Sequence, residues 1–454
     1  MKAPKKNETL TLRIDGYASD GMGVGRMEDG RVLFVKGALD KELCKVQLLK
    51  VGKSAAWARI LEVLEPSPHR RSPDCSYYPR CGGCQLRHMS YEEELELKRN
   101  RVQEALRRIG GVEIPVSIIH GAKDTERYRN KVQLPVAPGV EEVSIGFYRA
   151  RSHEVIAVSD CLLQSTQARV LRDTVKEWME RYKIPAYDEG SHQGLLRHVY
   201  LRTNKKGQSL CVLVVNGKKL PHTEELVSML READGGLVGL CLSINQEKTN
   251  VIMGKKLRTL WGEPYLDEEL CGLSFRLSPL SFYQVNRKQA ELLYSRATEF
   301  AGLTGTETVL DLYCGIGTIT LVMAQKAGRV IGAEVVEAAV EDARENAVRN
   351  GILNAEFICA DAGEAAVELA KRGLAPQVIC VDPPRKGLAL SVIEAIVTMK
   401  PERLVYVSCD PGTLARDVKL LGERGYRLEL AEACDLFPRT MHVETVTLLK
   451  RSQD

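Results

Sequence analysis

No run of apolar residues in this chain approaches the ~18 that a membrane-spanning helix requires, so no such helix is expected. The basic start Met1-Lys2-Ala3-Pro4-Lys5-Lys6 is followed by no apolar stretch, so no secretory signal is expected either. The compositional bias of disordered or collagen-like chains is missing too: 44% of residues are apolar and 27% charged. An even set of cysteines is also lacking. Thirteen thiols without a signal peptide argue against a disulfide framework and for metal-binding or catalytic cysteines. What remains is the profile of a soluble cytoplasmic protein, and 454 residues suggest two to four domains at roughly 100–200 residues each.

A strong net charge is absent, but the +4 hides an asymmetry. Residues 1–150 carry 26 Lys and Arg against 20 Asp and Glu, whereas the remainder carries 38 against 40. A basic front on a neutral body suits a polyanionic partner, nucleic acid being the usual one, although a solvated surface would look the same.

The pattern divides the chain into three. Over 1–66, short alternating stretches such as Leu10–Ile14, Arg31–Val35 and Trp57–Val63, with glycine-rich turns, predict an OB-like β-barrel; an SH3-like barrel fits the pattern as well. Residues 67–281 read as a mixed α+β central domain. Its early stretch Tyr91–Ile109 is a charged helix with apolar residues at helical spacing. Residues 282–454 alternate apolar strands with helices, which predicts a parallel, doubly wound α/β sheet.

In that last third a strand ends in Asp311-Leu312-Tyr313-Cys314-Gly315-Ile316-Gly317-Thr318 and runs into a helix. The third glycine of a dinucleotide fingerprint is missing, which favours a nucleoside without a pyrophosphate, such as S-adenosylmethionine, over NAD. Glu334, at the next strand end, is placed for a ribose diol, and Asp361, one strand further, for an adenine amino group. Asp382-Pro383-Pro384-Arg385 closes the fourth strand. Enzymes that methylate exocyclic amines carry an aromatic residue where Arg385 stands, and cytosine C5 methyltransferases carry a cysteine in this loop, so both classes are disfavoured. Ser408-Cys409-Asp410-Pro411 ends the fifth strand, where a nucleophile beside the cofactor would be wanted. Glu444, before the last strand, could be a general base or simply a surface carboxylate. Cys314 would face the cofactor, whereas Cys211, Cys241, Cys359 and Cys380 read as buried strand residues.

Cys75-x5-Cys81-Gly-Gly-Cys84 could hold zinc or an iron–sulfur cluster, and the x5 spacing suits zinc fingers poorly. A fourth ligand would be Cys161, with His88 as competitor.

Together these motifs, with Phe282-Tyr283-Gln284-Val285-Asn286 and His442-Val443-Glu444-Thr445, give the chain its family likeness. It resembles the bacterial RNA uracil-C5 methyltransferases, in particular the iron–sulfur 23S ribosomal-RNA type with an N-terminal TRAM barrel. The resemblance covers nearly the whole chain in order. It implies that Gln284, Tyr313, Glu334 and Asp382 contact S-adenosylmethionine, with Thr318 and Asp361 as additions. It implies Cys409 as nucleophile, Glu444 as proton acceptor, and a [4Fe–4S] cluster on Cys75, Cys81, Cys84 and Cys161. It further implies that the 91–109 helix docks on the methyltransferase domain, and that a monomer acts on an unstacked loop uridine of ribosomal RNA. A transfer-RNA methyltransferase is the alternative. A non-catalytic RNA-binding relative would have lost Cys409 or Glu444, and both are present.

Overall fold

A computed structural model describes residues 4–78, 80–139 and 142–452. Among these, no helix is long and apolar enough to cross a membrane.

The N-terminal unit is a six-stranded sheet in the order Thr9–Arg13, Leu43–Val51, Ala55–Glu65, Val32–Lys36, Gly23–Arg26, Gly16–Tyr17. It curls around a small core of Leu12, Ile14, Leu33, Val35, Val46 and Leu48. Gly25 lets the two ends meet, since a Cβ there would lie 2.6 Å from the Arg13 carbonyl oxygen.

The cysteine-bearing segment follows and leads into the helix Tyr91–Arg108. The Ser90 hydroxyl caps that helix by accepting from Glu93 N, with acidic residues in its first turn and Arg107 and Arg108 in its last. Val102 and Leu106 pack with Leu414, Ala415 and Val418 of the C-terminal unit. Just beyond, Ile119–His120 pairs with Tyr426–Cys434 and becomes the eighth strand of the C-terminal sheet.

The central unit is a seven-stranded sheet in the order Val155–Ala157, Ser144–Tyr148, Lys131–Ala137, Leu196–Thr203, Ser209–Val215, Leu237–Ile244, Lys256–Gly262. Helices Thr166–Arg181 and Thr223–Ala233 cover one face. The opposite face carries Tyr200, Leu210, Val212 and Cys241, which pack with Leu266.

The C-terminal sheet runs Ala355–Cys359, Arg329–Glu334, Thr308–Asp311, Val378–Val381, Arg403–Ser408, Glu444–Arg451, Tyr426–Cys434, Ile119–His120. The first five strands are parallel, and Glu444–Arg451 runs antiparallel to both of its neighbours. The order reverses between Thr308–Asp311 and Val378–Val381. At such a switch point the crossing loops diverge and leave a crevice at the carboxyl ends of the strands.

Two expectations need correcting. The hairpin Leu266–Leu270/Leu273–Leu277 lies before residue 282, yet Leu270, Leu273, Phe275 and Leu277 share a core with Tyr283 and Leu293. The α/β unit thus begins some residues earlier than the 281/282 boundary, because the hairpin's apolar side needs the cover of that core. Cys359 is exposed rather than buried, since it ends the outermost strand of the sheet and is covered on fewer sides.

Candidate active site

The glycine turn is shaped by its backbone. Gly315 and Gly317 take φ of 54° and 85°, so the chain reverses tightly into the helix Thr318–Ala324. Asp311 is buried; its carboxylate accepts from the Thr320 hydroxyl at 2.6 Å and Tyr313 N at 3.2 Å, and burial lifts its pKa to about 6. Glu334 accepts from Gly315 N at 3.2 Å and Val336 N at 2.9 Å, which fixes the second strand's end against the turn. Asp361 caps the helix Ala362–Lys371 through Gly363 N at 2.9 Å and stands near Tyr313. The Cys314 side chain is turned away from the crevice. It packs in the core, where Gly332 leaves room for its sulfur, contrary to the expectation that it faces a cofactor.

Across the switch point, burial and nearby Asp311 push Asp382 up to about 7. Gln284 is held from the central unit, because Asn130 Nδ2 donates to its backbone oxygen at 2.9 Å. Sequence pattern alone does not single out Tyr294. It is buried, with its hydroxyl in reach of Thr318 and Gln284 and near both Asp382 and Glu444. Its only signal was its place on the inner face of the helix that follows Asn286.

Cys409 and Glu444 meet at the same edge. Ser408 pairs with Thr445 in antiparallel register, so one residue further on Cys409 and Glu444 fall opposite each other. Glu444 is 3% exposed, which removes the surface reading, and burial and Asp382 lift its pKa to about 8 against the pull of Arg385. Cys409 is half-buried; burial, Glu444 and Asp382 push its thiol to about 11, and Arg385 opposes them. Asp410 caps the following helix, Pro411–Gly422, through Gly412 N and Thr413 N. Arg385 reaches His442 Nδ1 at 3.3 Å. His442 is pushed down to about 4 by burial and the surrounding cations, so its imidazole is neutral.

The loop that leads to Glu444 is clamped by distant parts of the chain. Buried Lys98 donates to Asp435 and Glu94, both at 2.7 Å, and Tyr91 donates to Asp435 at 2.8 Å. Gln85 N and Leu86 N donate to the Arg439 oxygen. Met441 packs with Leu39 of the barrel and with Leu86, Met89 and Leu97.

The four cysteines of the central unit also converge. Cys75, Cys81, Cys84 and Cys161 are free thiols lining one cavity of 180 Å³. Burial, and then the neighbouring thiols, push Cys81 and Cys84 up: Cys84 and Cys75 act on Cys81, and Cys161 and Cys75 act on Cys84. Gly83 N donates to Cys81 Sγ at 3.4 Å, and Arg87 interacts with the Cys84 sulfur. His88 bonds Tyr78 at 2.6 Å and is not part of the lining. Among the described residues, no three His, Cys, Asp or Glu side chains close on a single-ion site. Four thiols around one cavity are a donor set that zinc or an iron–sulfur cluster could take.

The sheet order, the glycine turn and the acidic strand ends together define an S-adenosylmethionine-dependent methyltransferase. Residues 90–452 match the tRNA (uracil-5-)-methyltransferase family, and residues 5–61 match the TRAM domain. The chain belongs to that family and is an RNA methyltransferase. It is 44% identical to an uncharacterized RNA methyltransferase of Clostridium tetani, over 98% of this chain and 97% of that one. It is also 44% identical to one of Clostridium acetobutylicum, over 98% of each. A solved tRNA (uracil-54, C5)-methyltransferase of Pyrococcus abyssi, in complex with S-adenosyl-L-homocysteine, is 26% identical. It superposes with a TM-score of 0.77 over 97% of this chain and 100% of that one.

Proposed function

We propose that this enzyme methylates carbon 5 of a uridine in 23S ribosomal RNA through a covalent adduct on Cys409. The observation that carries the reading is the pairing of Cys409 and Glu444, a nucleophile and a base of raised pKa, on adjacent strand ends beside the cofactor crevice. Gln284, Tyr313, Thr318, Glu334, Asp361 and Asp382 would hold S-adenosylmethionine, which supplies an electrophilic methyl group and a positive charge. That charge would offset Asp382 and Glu444, the carboxylates that disfavour the Cys409 thiolate. Arg385 acts in the same direction.

Carbon 5 of uracil is a weak nucleophile. Addition of the Cys409 thiolate to carbon 6 shifts the electron pair into an enolate, and carbon 5 then takes the methyl group. Glu444 removes the proton left on carbon 5, the 5,6 double bond re-forms and the thiolate leaves. Both groups lie at a recessed edge, so the uridine must be swung out of its stack. The four-cysteine cavity would hold a [4Fe–4S] cluster with a structural role, and the barrel would help hold the RNA. The enzyme would act as a cytoplasmic monomer.

The reading is tested by mapping 5-methyluridine in RNA from a strain lacking the gene. Loss at a 23S site supports it. Loss only from transfer RNA would favour the second reading, which the Pyrococcus relative's tRNA substrate motivates. No loss anywhere would overturn both.

A further inference from the structure

Arg129, Lys131 and Arg202 gather where the central sheet meets the Phe282–Asn286 segment. Arg202 pairs with Lys131 across antiparallel strands. Lys131 is pushed down to about 8 by burial and by the charges of Arg202 and Arg129, so the three sit in one another's field. Among the described residues, no carboxylate lies within 4 Å of any of them, although dozens of the chain's other cations are paired. Their donors are also underused. Arg129 Nε and Arg202 Nε are buried without a partner, and the Tyr200 ring lies 5.8 Å from the Arg202 guanidinium. Lys131 lies over the exposed Phe282 ring at 6.0 Å.

Like charges held together without a counterion cost stability, and buried donors left unpaired cost more. Such an arrangement suits an anion that arrives from outside. We propose that Arg129 and Lys131 form a phosphate site that takes one backbone phosphate of the substrate RNA close to the target uridine, with the charge of buried Arg202 behind them.

The surroundings agree with that placement. Arg202 donates to the Ser278 and Ser281 oxygens at 3.1 and 2.9 Å, which braces the turn before Phe282. Asn130, between two of the cations, holds Gln284 and Val285 by their backbones. Arg129 stands 5.8 Å from the Phe437 ring and acts on His442, two residues before Glu444. A phosphate here would lie between the cofactor segment and the loop that carries the base. The site rests on the reading of the enzyme as an RNA methyltransferase, which supplies the anion.

The test uses full-length protein with the variants Lys131→Met and Arg129→Met, and leaves Arg202 alone because it braces a turn. Binding of single-stranded oligouridylate is measured against salt, and S-adenosylmethionine binding is titrated in parallel. Each variant should weaken RNA binding about tenfold and reduce the salt slope by about 0.7, the value for one lost contact on a single strand. Cofactor affinity should stay unchanged, and Lys131→Arg should restore the slope. An unchanged slope in both variants overturns the phosphate site, and so does a loss of cofactor binding that parallels the loss of RNA binding. Trapping of the wild type on 5-fluorouridine RNA tests the methylation reading separately. No trapping together with a reduced slope would leave the phosphate site standing and remove the covalent mechanism.

Discussion

Cys409 and the four cysteines of the central unit sit in different surroundings. At the catalytic edge, Cys409 is alone. Burial and two carboxylates oppose its ionisation, and one arginine favours it. In the central unit four thiols face one another, and Arg87 and backbone N–H groups point at the sulfurs. A thiol kept protonated until a positive ligand arrives suits a nucleophile that must attack once and then leave. Thiols whose mutual repulsion only a cation can relieve suit permanent ligands.

Removing Cys409 should have the largest effect. Cys409→Ala should abolish methylation, and no RNA–protein adduct should appear on a denaturing gel. Residual turnover would break the contrast at its strongest point. Glu444→Gln should come next, with turnover lower by about 10²–10⁴. Addition and transfer stay possible, so a band carrying labelled methyl should accumulate. In the wild type, adduct release should rise with pH through about 8, since the deprotonated carboxylate is the active form and burial raises its pKa. In the variant it should be flat.

On the other side of the comparison, Cys161→Ser should strip metal from anaerobically purified protein. The wild type should be brown with about four irons per chain. Zinc at one per chain would replace the cluster reading with a zinc site. The smallest effect should come from Arg385→Met. Losing this cation lets the carboxylates raise the Cys409 thiol further, so labelling by iodoacetamide at fixed pH should slow several-fold. Faster labelling would show that Arg385 shields the sulfur rather than stabilising its anion.

Much of this was legible in the sequence. The α/β rhythm, the glycine turn and the acidic strand ends rest on local pattern, and the turn and those strand ends lie at the carboxyl edge of the parallel sheet. The four cysteines were linked by composition and resemblance, and they do share a cavity. What escaped depends on contacts between distant segments. Burial of Glu444 follows from its pairing with neighbouring strands, which a lone carboxylate before a strand does not announce. The inward turn of Cys314 depends on Gly332, a residue of the next strand. Tyr294 and the pair Arg129 and Lys131 become sites only once two units meet.

The clamp on the loop before Glu444 bears on how the chain is made. Lys98 and its partner Asp435 are separated by 337 residues, and Tyr91 and Asp435 by 344. At about 5–20 residues per second, the ribosome delivers Asp435 on the order of twenty seconds to a minute after Lys98. During that interval the helix Tyr91–Arg108 exposes a lysine without its second carboxylate and an apolar side without its cover. Strand Ile119–His120 likewise has no sheet to join until Tyr426–Cys434 has been made. The edge that brings Cys409 and Glu444 together is thus the last part of the enzyme to be assembled, and a nascent chain that stalls short of its final strands lacks the carboxylate of that pair.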